Sequence, residues 1–130
     1  MTSEPGSCLR GKRILVVEDE LLIAMTIEQI LLDHGCEVLG PAPSVGAALR
    51  LIDRQPPEAA LLDVNLSGHL STPIAEELAR RAIPYLLVTG YVELVLADPV
   101  LKRAPYLAKP FTPASLIHKM EQVFCRPAGE

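Results

Sequence analysis

Short apolar runs that alternate with segments of helical spacing are the feature that most constrains the fold of this chain. The runs occur at residues 14–17, 38–39, 59–62, 85–88 and 106–108. Their apolar residues are consecutive rather than interleaved with polar ones, which is typical of strands buried on both faces of a parallel sheet. Such a sheet needs helices on both sides, so the alternation predicts an α/β domain.

The segments between the runs carry helix signals and predict helices at residues 21–34, 44–54, 72–81 and 112–125. Thr72–Pro73 and Thr112–Pro113 each set a hydroxyl side chain before a proline, which is a common start of a helix. The helical pattern is weak between Gly90 and Pro105, where Asp98–Pro99 interrupts it. We therefore expect a short or irregular fourth helix in that segment.

The chain length of 130 residues suits one domain. We assign residues 12–125 to this domain, residues 1–11 to a flexible N-terminal tail and residues 126–130 to a C-terminal tail. Because parallel strands are joined by right-handed crossovers, few arrangements are possible, and we expect a flavodoxin-like doubly wound sheet of five parallel strands in the order 2-1-3-4-5. Ligands of such sheets bind where the strand order reverses, here beyond the carboxyl ends of the first and third strands.

Composition excludes several classes of function. A net charge of −4, no tryptophan and only 4% aromatic residues argue against direct nucleic-acid binding. The sequence has neither a secretory signal pattern nor an apolar run near 18 residues, so we expect a cytoplasmic protein without a membrane span. Cys8, Cys36 and Cys125 show no zinc-binding or redox spacing, and we expect them to be reduced thiols.

Polar side chains follow four of the five predicted strands. They are Glu18, Asp19 and Glu20 after the first, Asp63 and Asn65 after the third, Thr89 after the fourth and Lys109 after the fifth. In the expected fold these positions share one rim of the sheet. Two carboxylates about 4 Å apart repel by about 4 kcal/mol at an effective dielectric constant of 20. One lysine cannot balance this cluster of acids, whereas Mg²⁺ prefers oxygen ligands, so we predict a Mg²⁺ site there.

A carboxylate beside a metal ion and a lysine can attack a phosphoryl group, which makes Asp63 the candidate phosphoacceptor. Lys109 and the Thr89 hydroxyl would then bind the phosphoryl oxygens. Each residue taken alone also has a simpler interpretation. The acids after the first strand can serve only as helix caps, and Asp63 can form a turn with its own backbone. Thr89 can be an ordinary strand residue, and Lys109 an ordinary surface lysine.

Four separated motifs resemble the receiver domain of bacterial two-component response regulators over residues 12–123. They read ILVVEDE at 14–20, LLDVNL at 61–66, VTG at 88–90 and KPFT at 109–112. The stretch PYLLVTGY at 84–91 is similar to a subgroup of stand-alone receivers that is linked to general stress signalling.

The resemblance implies that Asp63 accepts a phosphoryl group from the phosphohistidine of a sensor histidine kinase or a histidine phosphotransferase. It also implies a Mg²⁺ ligand set at the same place. Asp19 and Asp63 would bind the ion directly, Glu18 would bind it through water, and Asn65 would contribute its backbone carbonyl.

The resemblance further implies that Lys109 binds the phosphoryl group and that Thr89 and Tyr106 form the switch. The Thr89 hydroxyl would move to the phosphoryl group, and the Tyr106 ring would turn from an outward to an inward rotamer. We expect self-phosphorylation from a phosphodonor and self-dephosphorylation, but no turnover of an external substrate. Signalling would occur by contact with an unknown downstream protein.

Two other functions remain open from the sequence. The irregular segment between Gly90 and Pro105 also suits a protein-interaction module that uses the same fold without phosphorylation. A small-cofactor carrier of flavodoxin type would need a loop rich in small residues after the first strand, to bind an anionic phosphate. The three acids at that position repel phosphate unless a cation intervenes.

Overall fold

The structure is a computed structural model, and it describes residues 7–125. Its strands are β1 (Arg13–Val17), β2 (Glu37–Ala42), β3 (Ala59–Leu62), β4 (Asn65–Leu66), β5 (His69–Leu70), β6 (Tyr85–Thr89) and β7 (Tyr106–Ala108). Its helices are α1 (Leu21–Asp33), α2 (Val45–Arg54), α3 (Thr72–Arg80), α4 (Val92–Ala97) and α5 (Pro113–Phe124). Short 3-10 helices occupy Ser7–Leu9 and Leu101–Arg103.

Five strands form one parallel sheet in the order β2-β1-β3-β6-β7. The strands β4 and β5 pair only with each other, so the main sheet has the predicted order 2-1-3-4-5 and the fold prediction is confirmed. Of the tails expected at residues 1–11 and 126–130, residues 1–6 and 126–130 lie outside the described residues. The limits of the domain therefore stay predictions, although Leu9 is fully buried against the helical layer that contains α5.

Two hydrophobic layers flank the sheet, as the consecutive apolar runs predict. Along β1, Leu15 and Val17 face the layer that contains α2 and α3, whereas Ile14 and Val16 face the layer that contains α1 and α5. All four side chains are buried. Because both faces of the central strands are covered, the sheet presents its polar residues at its ends.

A small hairpin between β3 and α3 was not expected from the sequence. The strands β4 and β5 pair antiparallel across a two-residue turn, Ser67–Gly68, in which both residues have positive φ. Leu66 is buried in the core, and the Ser71 N–H donates to the Val64 carbonyl to close the hairpin. Such short strands have no detectable periodicity, although the turn-forming residues mark the place.

The segment after β6 agrees with the prediction of a short fourth helix. α4 has six residues, and Asp98 then accepts the backbone N–H groups of Val100 and Leu101. The other carboxylate oxygen of Asp98 accepts a hydrogen bond from the Thr72 hydroxyl, so Thr72 does not cap α3 as expected. Ser71 holds the N-cap position of α3 and makes no side-chain cap. Thr112 does cap α5, where it accepts the N–H of Ser115.

The expectation of three reduced cysteines is wrong for two of them. Cys8 and Cys125 form a disulfide with their Cα atoms 5.9 Å apart, whereas Cys36 is a buried free thiol. The pair meets because the first 3-10 helix packs against α5, and a separation of 117 residues leaves no local signal in the sequence. Within the described range, no helix is both long and apolar enough to cross a membrane.

The disulfide predicts a stability that depends on redox conditions. A bond that closes so long a loop restricts the unfolded chain, so reduction is expected to lower the free energy of unfolding by about 2–5 kcal/mol. Urea denaturation followed by circular dichroism, with and without dithiothreitol, measures the difference. The variant Cys8→Ser is the control, because reduction should leave its midpoint unchanged. A wild-type midpoint that ignores the reductant would contradict the prediction.

Candidate functional site

The candidate site is an open cleft of about 390 Å³ at the carboxyl end of the sheet. The carboxyl ends of β1 and β3 lie at this rim, paired in register. The Asp63 N–H donates to the Val17 carbonyl, and the Glu18 N–H donates to the Ala42 carbonyl. Sheet pairing therefore continues one residue beyond the end of β1 and of β3, and it fixes where these two acidic side chains start.

Three carboxylates meet at the base of the cleft. Glu18, Asp19 and Asp63 each offer one oxygen, and the three oxygens lie within 4.8 Å of one another. Glu18 and Asp63 are buried, with 3% and 5% of their surface exposed. Glu20 occupies the N-cap position of α1 but makes no side-chain cap. Glu18 Oε2 accepts the backbone N–H of Glu20, but helix capping does not account for the side chains of Asp19 and Glu20.

Lys109 is the ammonium group at this cluster. Its Nζ lies 2.9 Å from Glu18 Oε1 and 3.6 Å from Asp63 Oδ2. The backbone N–H of Lys109 donates to the Thr89 carbonyl. This bond extends the pairing of β6 with β7 and places the lysine at the same rim. One positive charge thus faces three negative ones, with the contact to Glu18 the closer.

The pKa values of Asp63 and Lys109 reflect this excess of negative charge. Burial, together with repulsion from Glu18, raises the pKa of Asp63 to about 7, although Lys109 opposes the rise. Burial acts to lower the pKa of Lys109, but its hydrogen bond to Glu18 and its attraction to Asp63 outweigh that effect and raise the pKa. The positive charge near Asp63 is therefore too small to offset burial and repulsion, whereas Lys109 stays charged.

The residues present fit a hard divalent cation such as Mg²⁺. Asp63 Oδ1 is buried and accepts no hydrogen bond from the described residues. It stands beside two further carboxylates, and such oxygens are the ligands that Mg²⁺ prefers. A cation bound by Glu18, Asp19 and Asp63 would supply the missing charge, and Asn65 also lines the cleft.

The two predicted switch residues, Thr89 and Tyr106, are not among the residues that line the cleft. Thr89 is fully buried at the end of β6, and its Oγ1 accepts the N–H of Tyr91 at 2.8 Å. Tyr106 begins β7 beside Leu87 and is 39% exposed, so its ring is directed outward. The hydroxyl and the ring are thus on neighbouring strands, and Tyr91, which sequence reasoning did not single out, lines the cleft.

Sequence reasoning also missed a contact of Asp19. Ser67, at the tip of the hairpin, donates its hydroxyl to Asp19 Oδ2 at 2.8 Å. The two residues are 48 positions apart, so no local pattern signals the contact. Ser67 was recognisable only as a turn-forming residue.

The raised pKa of Asp63 predicts how stability depends on pH in the metal-free protein. The unfolded chain loses this proton near pH 3.8 and the native state near pH 7, so the native state holds an extra proton between these values. The free energy of unfolding should therefore fall as pH rises from about 4 to about 7. Asp63→Asn should remove this fall and stabilise the metal-free protein at pH 7.5, on the order of 1–3 kcal/mol.

Urea denaturation in a chelating buffer at several pH values tests this. Asp33→Asn, at an exposed aspartate that ends α1, is the matched control and should keep the wild-type slope. An equally steep fall in Asp63→Asn would show that another group causes it.

Comparison with known proteins agrees with the geometry. The family model of the response regulator receiver domain matches residues 14–121. The transcriptional regulatory protein PdtaR of Mycobacterium tuberculosis is 29% identical over 118 residues, which cover 88% of this chain and 58% of PdtaR. The phyllosphere-induced regulator PhyR of Methylorubrum extorquens is 31% identical over 106 residues, which cover 79% of this chain and 40% of PhyR. The chain thus spans less than two thirds of these curated relatives.

Two solved structures extend the comparison. SdrG from Sphingomonas melonis Fr1 matches with a TM-score of 0.74 and 39% identity, over 85% of this chain and 93% of SdrG. The receiver domain of the sensor histidine kinase PA1611 from Pseudomonas aeruginosa PAO1 has magnesium coordinated in its active-site cleft. It matches with a TM-score of 0.77 and 26% identity, over 89% of this chain and 99% of that domain. Sequence and fold agree, and this chain belongs to the response regulator receiver domains of two-component signalling.

Proposed function

We propose that this receiver domain is a phosphoacceptor switch in which Asp63 takes a phosphoryl group from a phosphohistidine. The observation that supports this most is the state of Asp63. Its carboxylate is buried, has one oxygen without a hydrogen bond from the described residues, and lies 3.6 Å from an ammonium group. A carboxylate that lines a cleft beside an ammonium group can act as a nucleophile.

In the proposed transfer, an Asp63 oxygen forms a bond to phosphorus while the bond from phosphorus to the histidine nitrogen breaks. The imidazole takes up a proton as it leaves. Asp19 and Asp63 would bind Mg²⁺ directly, Glu18 through water and Asn65 through its carbonyl. The ion, when bound, neutralises charge on the phosphoryl oxygens. The magnesium seen in the related PA1611 domain supports this assignment.

Lys109 is held ready for the product by its present contacts. Its ammonium group is anchored to Glu18 and already points toward Asp63, so it can pair with a phosphoryl oxygen without leaving the cleft. The phosphodonor would be a sensor histidine kinase or a histidine phosphotransferase. The domain would turn over no external substrate, and it would signal by contact with a downstream protein.

The proposed switch runs through Thr89 and Tyr106. A hydroxyl that accepts one N–H, here that of Tyr91, still has its own proton to donate to a phosphoryl oxygen. Movement of Thr89 toward that oxygen would leave space beside β7, which the exposed Tyr106 ring can fill. Local charge would thus bias a two-state element.

Phosphorylation itself is the first test. With Mg²⁺ and a small phosphodonor such as acetyl phosphate, intact-protein mass spectrometry should show the gain of one base-labile phosphoryl group. Asp63→Asn should abolish the gain, whereas the control Asp33→Asn should match the wild type. No gain in the wild type, or a full gain in Asp63→Asn, would contradict the proposal and would favour an interaction module that works without phosphate.

The hydroxyl of Thr89 is the second test. Thr89→Val keeps the volume but removes the hydroxyl, and Thr89→Ser keeps the hydroxyl. The lost hydrogen bond is worth about 1 kcal/mol, so Thr89→Val should lower the switch equilibrium about fivefold. The response of the Tyr106 resonances to Mg²⁺ and beryllofluoride, measured by NMR, reports this equilibrium. Thr89→Ser should respond like the wild type, and an equal response in Thr89→Val would exclude this coupling.

A further inference from the structure

The tip of the β4–β5 hairpin is formed by a residue that local geometry does not favour. Ser67 has φ of 54° and Gly68 has φ of 90°, so both central residues of the turn are left-handed. Asn, Asp and Gly are the residues that suit the first position of such a turn. A serine there adopts an uncommon conformation for a residue with a β-carbon, and a contact elsewhere can explain its presence.

That contact is with the acid cluster. The Ser67 hydroxyl donates to Asp19 Oδ2 at 2.8 Å, and Ser67 itself lines the cleft. Among residues 7–125, it is the one hydrogen-bond donor to the Asp19 side chain. Glu18 and Asp63, in contrast, both contact Lys109. The orientation of Asp19 therefore depends on the hairpin.

The hairpin is built to hold the hydroxyl in place. Leu66 anchors one strand in the core with 2% of its surface exposed. The Asn65 side chain accepts the N–H of Gly68, and the Ser71 N–H donates to the Val64 carbonyl. The donor is thus positioned before any ligand binds, which lowers the cost of ordering it.

We propose that Ser67 is a positioning residue that holds the Asp19 carboxylate in its metal-binding orientation. The inference rests on the proposed function, since it assigns a role within the same Mg²⁺ site. A carboxylate has two oxygens, so Oδ2 can accept the serine hydroxyl while Oδ1 stays available to a cation. Outer groups that orient metal ligands in this way commonly change metal affinity by tenfold or more.

The test compares three variants of the full chain. Ser67→Ala removes the hydroxyl and keeps the unfavourable conformation, whereas Ser67→Gly removes both. His69→Ala is the matched control, because His69 is exposed in the same hairpin and does not line the cleft. NMR titration with MgCl₂ gives the affinity, and thermal denaturation in a chelating buffer gives the stability.

Both Ser67 variants should bind Mg²⁺ about tenfold more weakly, and His69→Ala should bind it like the wild type. Ser67→Gly should be at least as stable as the wild type, since glycine suits the turn. Affinity would then fall without a loss of stability, which a purely structural role would not produce. In the Asp19→Asn background, Ser67→Ala should have no further effect on affinity.

A metal-free measurement completes the test. Ser67→Ala should shift the carboxyl carbon resonance of Asp19 and leave that of Asp63 unchanged. Wild-type affinity in both Ser67 variants would overturn the role of Ser67 while leaving the Mg²⁺ site standing. A wild-type chain that binds no Mg²⁺ would instead overturn the proposed function and this inference together.

Discussion

An excess of carboxylate charge over ammonium charge, at the end of a buried sheet, governs the chemistry of this protein. Lys109 is shared between Glu18 and Asp63, and the closer contact goes to Glu18. Asp63 therefore keeps an unpaired oxygen and a raised pKa. A buried acid in that state favours a cation as its partner. The same lack of compensation that disfavours the cluster in the metal-free protein is the physical basis of the proposed Mg²⁺ site.

Backbone pairing brings the acids of this cluster together at the end of the sheet. Parallel strands bring their carboxyl ends to one rim, and the hydrogen bonds that start at Glu18, Asp63 and Lys109 continue the sheet to that rim. Each side chain thus begins from a position that the sheet fixes. The repulsion among the acids is opposed by burial of the apolar strands beneath them, which is a larger effect.

The elements that follow sequence periodicity were predictable, and those that depend on distant pairing were not. Consecutive apolar residues predict the strands, the crossover rule predicts their order, and Asp98–Pro99 predicts the short α4. The rim positions predict which acids meet Lys109. The hairpin strands are too short for a period to show. The Thr72 hydroxyl, the Cys8–Cys125 disulfide and the Ser67 contact each join residues that are far apart in the chain. Only the folded chain brings those partners together.

The two hydrophobic layers are separated by the sheet, and the site elements divide between them. Leu66 of the hairpin and Val95 of α4 belong to one layer, whereas α1, α5 and the disulfide belong to the other. The sheet thus separates the two helical layers. A protein that binds the α1–α5 side would leave the hairpin and α4 uncovered. Two different proteins could therefore bind one domain from opposite sides without competing for the same surface.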